Sequence, residues 1–402
     1  MTNDPEPRAT SSPGRLASID ACRGLVMFLM MAEVLHLAGV AAAIPGSPLW
    51  ETLGHHQSHV EWIGCSLHDL IQPGFSFLVG VSLPFSLANR AGRGQSRGRM
   101  ILHACWRAFV LIALGIFLRS IGDDRTNYTF EDTLTQIGLG YPFLFLLGLR
   151  PQRDRWIAVA ALLIGTWLAF VLYPAPGPDF DFAAVGVTPD WLSQHQLQGL
   201  QAHWNKNSNL SWAFDRWFLN LFPRDEPFLF NRGGYATLSF VPTLATMVLG
   251  LIAGQVLLSA RSPRGKVAWM LVAGAVSMGL GWGLGELGIC PIVKRIWTPS
   301  WVLFSGGWCF LFLGAAYGVI DGFGWKRWVF PLTVIGMNSI AAYLMSWLFE
   351  GFIGDAITRH LGEDSFRVLG EPYEPLLHGA AVLLVMWGLL FWMYRRRFFL
   401  KI

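Results

Sequence analysis

HVEWIGCSLHDLIQPGFSFLVGVSLPFS, residues 59–86, passes in a few positions from a titratable lip into a long apolar run. The lip begins slightly earlier, in GHHQSHVEW, and collects His55, His56, His59, His68, Glu61 and Asp69. The run behind it is long enough to cross roughly 30 Å of hydrocarbon, and stretches of that kind recur along the chain. They lie near residues 24–44, 65–87, 100–119, 133–149, 156–173, 236–259, 267–289, 301–320, 328–348 and 376–394, which predicts about ten transmembrane segments.

Backbone polar groups must be satisfied within lipid, and no alternating barrel pattern is present, so the expected fold is all-α: a polytopic membrane helix bundle. Composition agrees, with 53% hydrophobic and 14% charged residues, 19 Trp and 29 Phe in 402 residues. About 20 of the 30 basic residues fall in loops that share a side when both termini are cytoplasmic; Arg90–Arg99, Arg150–Arg155, Arg261–Lys266 and Arg395–Lys401 are the main groups. GHHQSHVEW then faces outside. The net charge of +4 belongs to those loops and does not point to nucleic acid.

The polar, Pro-rich start is expected to be a disordered cytoplasmic tail over 1–17, with no cleaved leader, followed by one transmembrane domain over 18–402. Five scattered cysteines outline neither a disulfide framework nor a metal site. One outer loop, 174–235, is long. It sets Trp191, Trp204, Trp212 and Trp217 among Asn205, Asn207, Asn209 and Asn220, which suits a carbohydrate face; an interfacial helix with Trp at headgroup level is the preferred reading. A second outer loop, 349–375, precedes the last segment.

In RLASIDACRG, Ser18 is placed to cap the first helix, with Asp20 and Arg23 one turn apart. LMMAEVLHL puts Glu33 and His36 on one helical face, where a membrane carboxylate needs a polar partner or a cavity. His55 and His59, four apart beside Glu61, raise the idea of zinc, but HEXXH is absent and no further ligand follows at a diagnostic spacing, so no metal is expected. His59 stands out for a different reason. A histidine at an aqueous rim, with a carboxylate to orient it, has the chemistry of a general base, and the buried Asp69 in the segment that follows needs a reason of its own.

The same stretch resembles the His-x-x-Trp-x-Gly…Asp-Leu…Pro…Phe…Gly signature of the heparan-α-glucosaminide N-acetyltransferase family, in its bacterial branch. RLASIDACRG, LSFVPTLATMVLGLIAG, PIVKRIWTPSWVL and IGMNSIAAYLM agree in order. The resemblance implies a multi-pass acyltransferase of the inner (plasma) membrane that moves acetyl from cytoplasmic acetyl-CoA to an amino sugar or glycan on the outer side. His59 and Asp69 match the family's catalytic positions. Lys294, Trp297, Asn338 and Ser339 match polar positions around the donor or acceptor, and Glu33 and Trp62 are expected to bind substrate nearby. Two departures fall in the acceptor region: Glu33 and Val34 stand where the family often has Asn, and PIVKRIW stands for its Pro-x-Asn-Lys-x-Leu-Trp. Asn338, Ser339 or Trp62 is expected to donate to the reaction's oxyanion, and the arginines at 90–99 or 150–155 are candidates for the CoA phosphates. A homodimer is left open. The rival reading is a permease carrying a small polar or sugar-like solute past Glu33 and Asp69.

Overall fold

The computed structural model describes residues 15–400, so residues 1–14 of the expected tail lie outside the described residues. Apolar segments become helices because a helix satisfies its own backbone. Along the chain run α1 (Ala17–Ala43), α2 (His68–Gly92), α3 (Arg97–Arg119), α4 (Thr133–Gly148), α5 (Gln152–Leu172), α6 (Thr237–Leu258), α7 (Pro263–Glu286), α8 (Pro299–Gly322), α9 (Phe330–Met337), α10 (Ser339–Leu348) and α11 (Glu371–Arg395). Among the described residues there is no strand, only an isolated antiparallel bridge between Ile63 and Val293.

Eight of these helices are long and apolar enough to cross a bilayer, and α9 with α10 makes a ninth if the pair is one bent span. This is fewer than the ten apolar segments because α4, with 16 residues, is short for a span. The segment expected at 328–348 breaks at Asn338 with an 80° bend. There the Asn338 side chain donates to Phe398 O at 2.9 Å and accepts from Leu400 N at 3.0 Å, tying the break to the end of the chain.

The central element is α6, which packs on α2, α4 and α5. Close crossing with α2 requires glycine on both sides: a Cβ on Gly80 would lie 1.9 Å from Met247 O, and one on Gly250 would lie 1.9 Å from Phe77 O. Other pairings are α3 with α4, α7 with α8, and α1 with α9.

The first helix begins seven residues before the apolar segment read from sequence, and Ser18 does not cap it. Asp321 at the end of α8 does so instead, accepting from Ala17 N at 3.3 Å and Ser18 N at 3.0 Å. Hence the start of α1 and the end of α8 lie at one end of the bundle. Fifteen helical residues later, about 22 Å at 1.5 Å per residue, α1 reaches Met31 at the other end.

The long loop folds into short helices, Pro189–His195 and Leu210–Phe218, instead of one interfacial helix. Its asparagines are taken up by its own backbone. Asn205 exchanges two bonds with Leu197, Asn207 donates to Val185 O and Asn231 O, and Asn209 caps the Leu210–Phe218 helix. Trp204, fully buried, joins Trp62, Phe170, Cys290, Val293 and Ile296 in an apolar cluster that seats the loop on the bundle.

Candidate active site

The helix Pro48–Gln57 stops at Ser58, whose backbone is extended, and the chain then turns back toward α2. A reciprocal capping arrangement holds this turn. Ser66 donates its N–H to Asp69 Oδ2 at 3.0 Å, its hydroxyl proton is shared between Ser58 O at 2.6 Å and the same carboxylate oxygen at 3.0 Å, and its Oγ accepts from Asp69 N at 3.3 Å. Val60 N adds a third donor to the same oxygen at 3.3 Å. Asp69 is thus fully buried yet well supplied, and its other oxygen is left for His59 Nδ1 at 2.8 Å. A carboxylate only accepts, so Nδ1 carries the proton and Nε2 presents a lone pair.

Lys294 reaches the pair from far along the chain. The Ile63–Val293 bridge and the bond from Gly64 N to Ile292 O, 3.1 Å, lay the 290–298 loop beside the turn. Arg295 pins the loop through Gly233 O and Val60 O, and Trp297, held at φ 53°, anchors it by donating Nε1–H to Thr246 Oγ1 at 3.1 Å. Lys294 Nζ then sits 3.5 Å from Asp69 Oδ1 and nearly equidistant from the two His59 ring nitrogens, at 3.1 and 3.3 Å. An in-plane bond to one ring nitrogen would leave the other far more distant, so the ammonium lies against the ring without capturing Nε2. Burial holds His59 below its ordinary pKa; the bond to Asp69 opposes this and the Lys294 charge adds to it. Burial also brings Lys294 down to about 8, against the pull of Asp69. Near neutral pH the arrangement is a neutral imidazole beside an ammonium.

These groups open onto a cavity of about 640 Å3, within the range of small-ligand sites. Glu33 and His68 form the adjoining wall. Glu33 pairs with His68, Oε1 to Nε2 3.3 Å, and not with His36, because α1 tightens into a 3-10 turn at Ala32–Leu35 and His36 is left-handed, with φ 48°. The His68 ring is 4.4 Å from that of His59. Across the cavity stand Arg119, Glu131, Tyr235, Tyr343 and Glu350.

The structure brings together His59, Asp69, Glu33 and Lys294. The remaining expected site residues lie off this cavity. Trp62 is buried and its N–H is donated to Trp204 O at 3.1 Å; Trp297 is in the core; Asn338 and Ser339 sit at the α9–α10 break. With Trp62 and Asn338 so engaged, the cation nearest the base is Lys294. Reading the sequence singled out neither Arg119 nor Tyr235 nor Tyr343. His68 and Tyr343 do fall inside stretches that the sequence marks, HVEWIGCSLHDL and IGMNSIAAYLM, whereas Arg119 carries no signal beyond being a charge at the end of an apolar segment. Among the loop arginines, Arg155 is taken up by Leu147 O and Gly148 O, and Arg150 by Asp154. All five cysteines are free, and among the described residues no three His, Cys, Asp or Glu side chains converge to hold a metal ion.

The chain is similar to the heparan-alpha-glucosaminide N-acetyltransferase of Homo sapiens, 25% identical over 383 residues that cover 86% of this chain and 54% of that protein. It is also similar to the protein of that name from Mus musculus, 24% identical over 392 residues, covering 87% and 55%. The chain therefore spans about half the length of the curated relatives it matches. No family model matches it. The resemblance read from five short stretches extends over most of the chain.

Proposed function

We propose that this chain is a membrane-embedded acyltransferase that moves acetyl from acetyl-CoA to the nitrogen of an amino sugar, with His59 as general base. The observation that carries the reading is the Asp69–His59 pair, 2.8 Å apart, with His59 lining a cavity large enough for a reacting pair. The two similar N-acetyltransferases support the reaction class.

An amino sugar is mostly protonated near neutral pH and must lose a proton before its nitrogen attacks a thioester. That first proton leaves to water, and as the freed nitrogen attacks, His59 Nε2 takes the second proton that must come off it to leave a neutral amide, while Asp69 holds Nδ1 and balances the imidazolium. Attack converts the carbonyl to an oxyanion, and the Lys294 ammonium is the donor placed beside it. Collapse breaks the C–S bond, and the imidazolium returns its proton to the departing CoA thiolate. Glu33, half exposed on the cavity wall, offers an acceptor for the incoming ammonium.

The basic-residue distribution supports a site at the outer side of an inner (plasma) membrane, with acetyl-CoA supplied from the cytoplasm. Purified protein should pass radiolabelled acetyl from acetyl-CoA to glucosamine; solute uptake without CoA release would favour a permease instead. In inside-out vesicles, added acetyl-CoA should acetylate glucosamine trapped in the lumen. Equal activity with both substrates confined to either one face would remove the cross-membrane arrangement.

A further inference from the structure

The site cavity holds a second pair of titratable groups to which no proton transfer has been assigned. Glu33 comes from α1 and His68 from the start of α2, and both line the cavity with His59. Glu33 Oε1 lies 3.3 Å from His68 Nε2, and the His68 ring is 4.4 Å from that of His59. Around the pair stand His59 and Asp69 from the turn, Lys294 from the 290–298 loop and Glu350 across the cavity.

Two features separate this pair from charge buried for structure. A carboxylate in a membrane segment is normally held by a cation. Among the described residues no Lys or Arg forms an ion pair with Glu33; its close partner is an imidazole, which gains and loses a proton near neutral pH. The other feature is the backbone that places it. The 3-10 turn at Ala32–Leu35 ends in His36 at φ 48°, an uncommon position for a residue other than glycine and one of the kinds that cluster at working sites.

Two protons have to leave the amino sugar's nitrogen, and His59 accepts one of them. The His59 and His68 rings lie too close, beside Lys294, for both to hold charge without a penalty, so a proton on His68 has to be gone before His59 takes its own. Glu33, with 52% of its side chain exposed, is an outlet to water.

We propose that Glu33 and His68 form a second proton acceptor, which takes the first proton from the bound ammonium and releases it to water, leaving His59 free for the second. This rests on the acetyl-transfer reading of the cavity. An N–H bond of the ammonium breaks with its electron pair kept on nitrogen, and the proton goes to the Glu33 carboxylate, shared with His68 Nε2. Glu33 then gives it to water, and the pair returns to its starting charge as the freed amine attacks.

The test compares acetyl transfer to glucosamine with transfer to its 2-aminooxy analogue, whose nitrogen is uncharged at neutral pH and has only the second proton to lose. The purified full chain is used at pH about 6.5, where glucosamine is mostly ammonium. In His68→Gln, and separately in Glu33→Gln, the ratio of kcat/KM for glucosamine to that for the analogue should fall by about tenfold or more; the ratio cancels any loss of folded protein. At pH about 8.5, above an amine pKa of roughly 7.7, it should return to within about threefold of wild type, because the amine arrives already free. An unchanged ratio, a fall that persists at the higher pH, or a fall confined to one variant would overturn the inference while leaving the transfer reading in place. A fall in Glu33→Gln alone would mark recognition of the ammonium without proton transfer. If the wild type acetylates neither acceptor, the transfer reading itself falls, and the inference with it.

Discussion

Two polar clusters sit at opposite ends of α1, and they differ in what they leave open. At the chain-end side, Asp20 is flanked by Arg15 and Arg23, Arg23 continues to Ser82 Oγ at 2.8 Å, and Asp321 closes the start of α1 and meets Lys326 at 3.7 Å. Here each of these charges has a partner, which is how charge is normally accommodated in a bundle. At the far end, Asp69 is equally well supplied, yet its partners His59 and Lys294, with the half-exposed Glu33 beside them, line a cavity. Burying charge is a structural problem with many solutions; an organised but unfinished hydrogen-bond network is the feature that suggests chemistry.

Removing the organiser should produce the largest contrast. Asp69→Asn leaves Lys294 facing an amide and allows the imidazole its other tautomer, with Nε2 protonated. Acetyl transfer is expected to fall by about two orders of magnitude. Thermal stability should fall too, by about 1–3 kcal/mol, because the donors of Ser66 and Val60 lose a charged acceptor. Normal kinetics with a normal melting temperature would make Asp69 incidental.

A second way to break the symmetry is through pH. The base must be neutral, so activity is lost as pH falls through the His59 pKa, and because that pKa is held below the ordinary value, the wild-type acid limb should lie below pH about 6.5. Lys294→Met removes a positive charge from beside the ring and should move the limb upward, in addition to lowering the rate. An unmoved limb would show that Lys294 does not act on His59.

Much of this contrast was legible before the fold. The bundle follows from apolar segment length, and His59 with Asp69 from a titratable lip on such a segment. What was not legible depends on pairings distant in sequence. Glu33 takes His68 in place of its neighbour His36 because the helix tightens before His36 and the α2 start lies alongside. Asp321 caps a helix some 300 residues earlier. The Asn-rich loop looks like a ligand surface until its amides are found on its own carbonyls. Trp62 and Trp297 are marked by the same motifs as His59 and Lys294, yet they hold the loops that carry the site and do not line it. A motif reports that a residue matters to a site, without separating the groups that react from those that support them.

The smallest effect belongs to the closed end. Asp321→Asn weakens the cap on α1 and its charge at the helix N-terminus, so melting should shift by the equivalent of about 0.5–2 kcal/mol with kcat unchanged. A loss of transfer comparable to that of Asp69→Asn would erase the distinction between the two ends.

The most direct measurement of the central claim is the initial rate of radiolabelled acetyl transfer to glucosamine by His59→Ala, set against His55→Ala and His56→Ala at equal folded amounts. The account predicts a loss of about a hundredfold or more for His59→Ala, with at least about a tenth of the activity kept by the other two, whose rings lie off the cavity. A folded His59→Ala protein that transfers acetyl at a rate near wild type would contradict it.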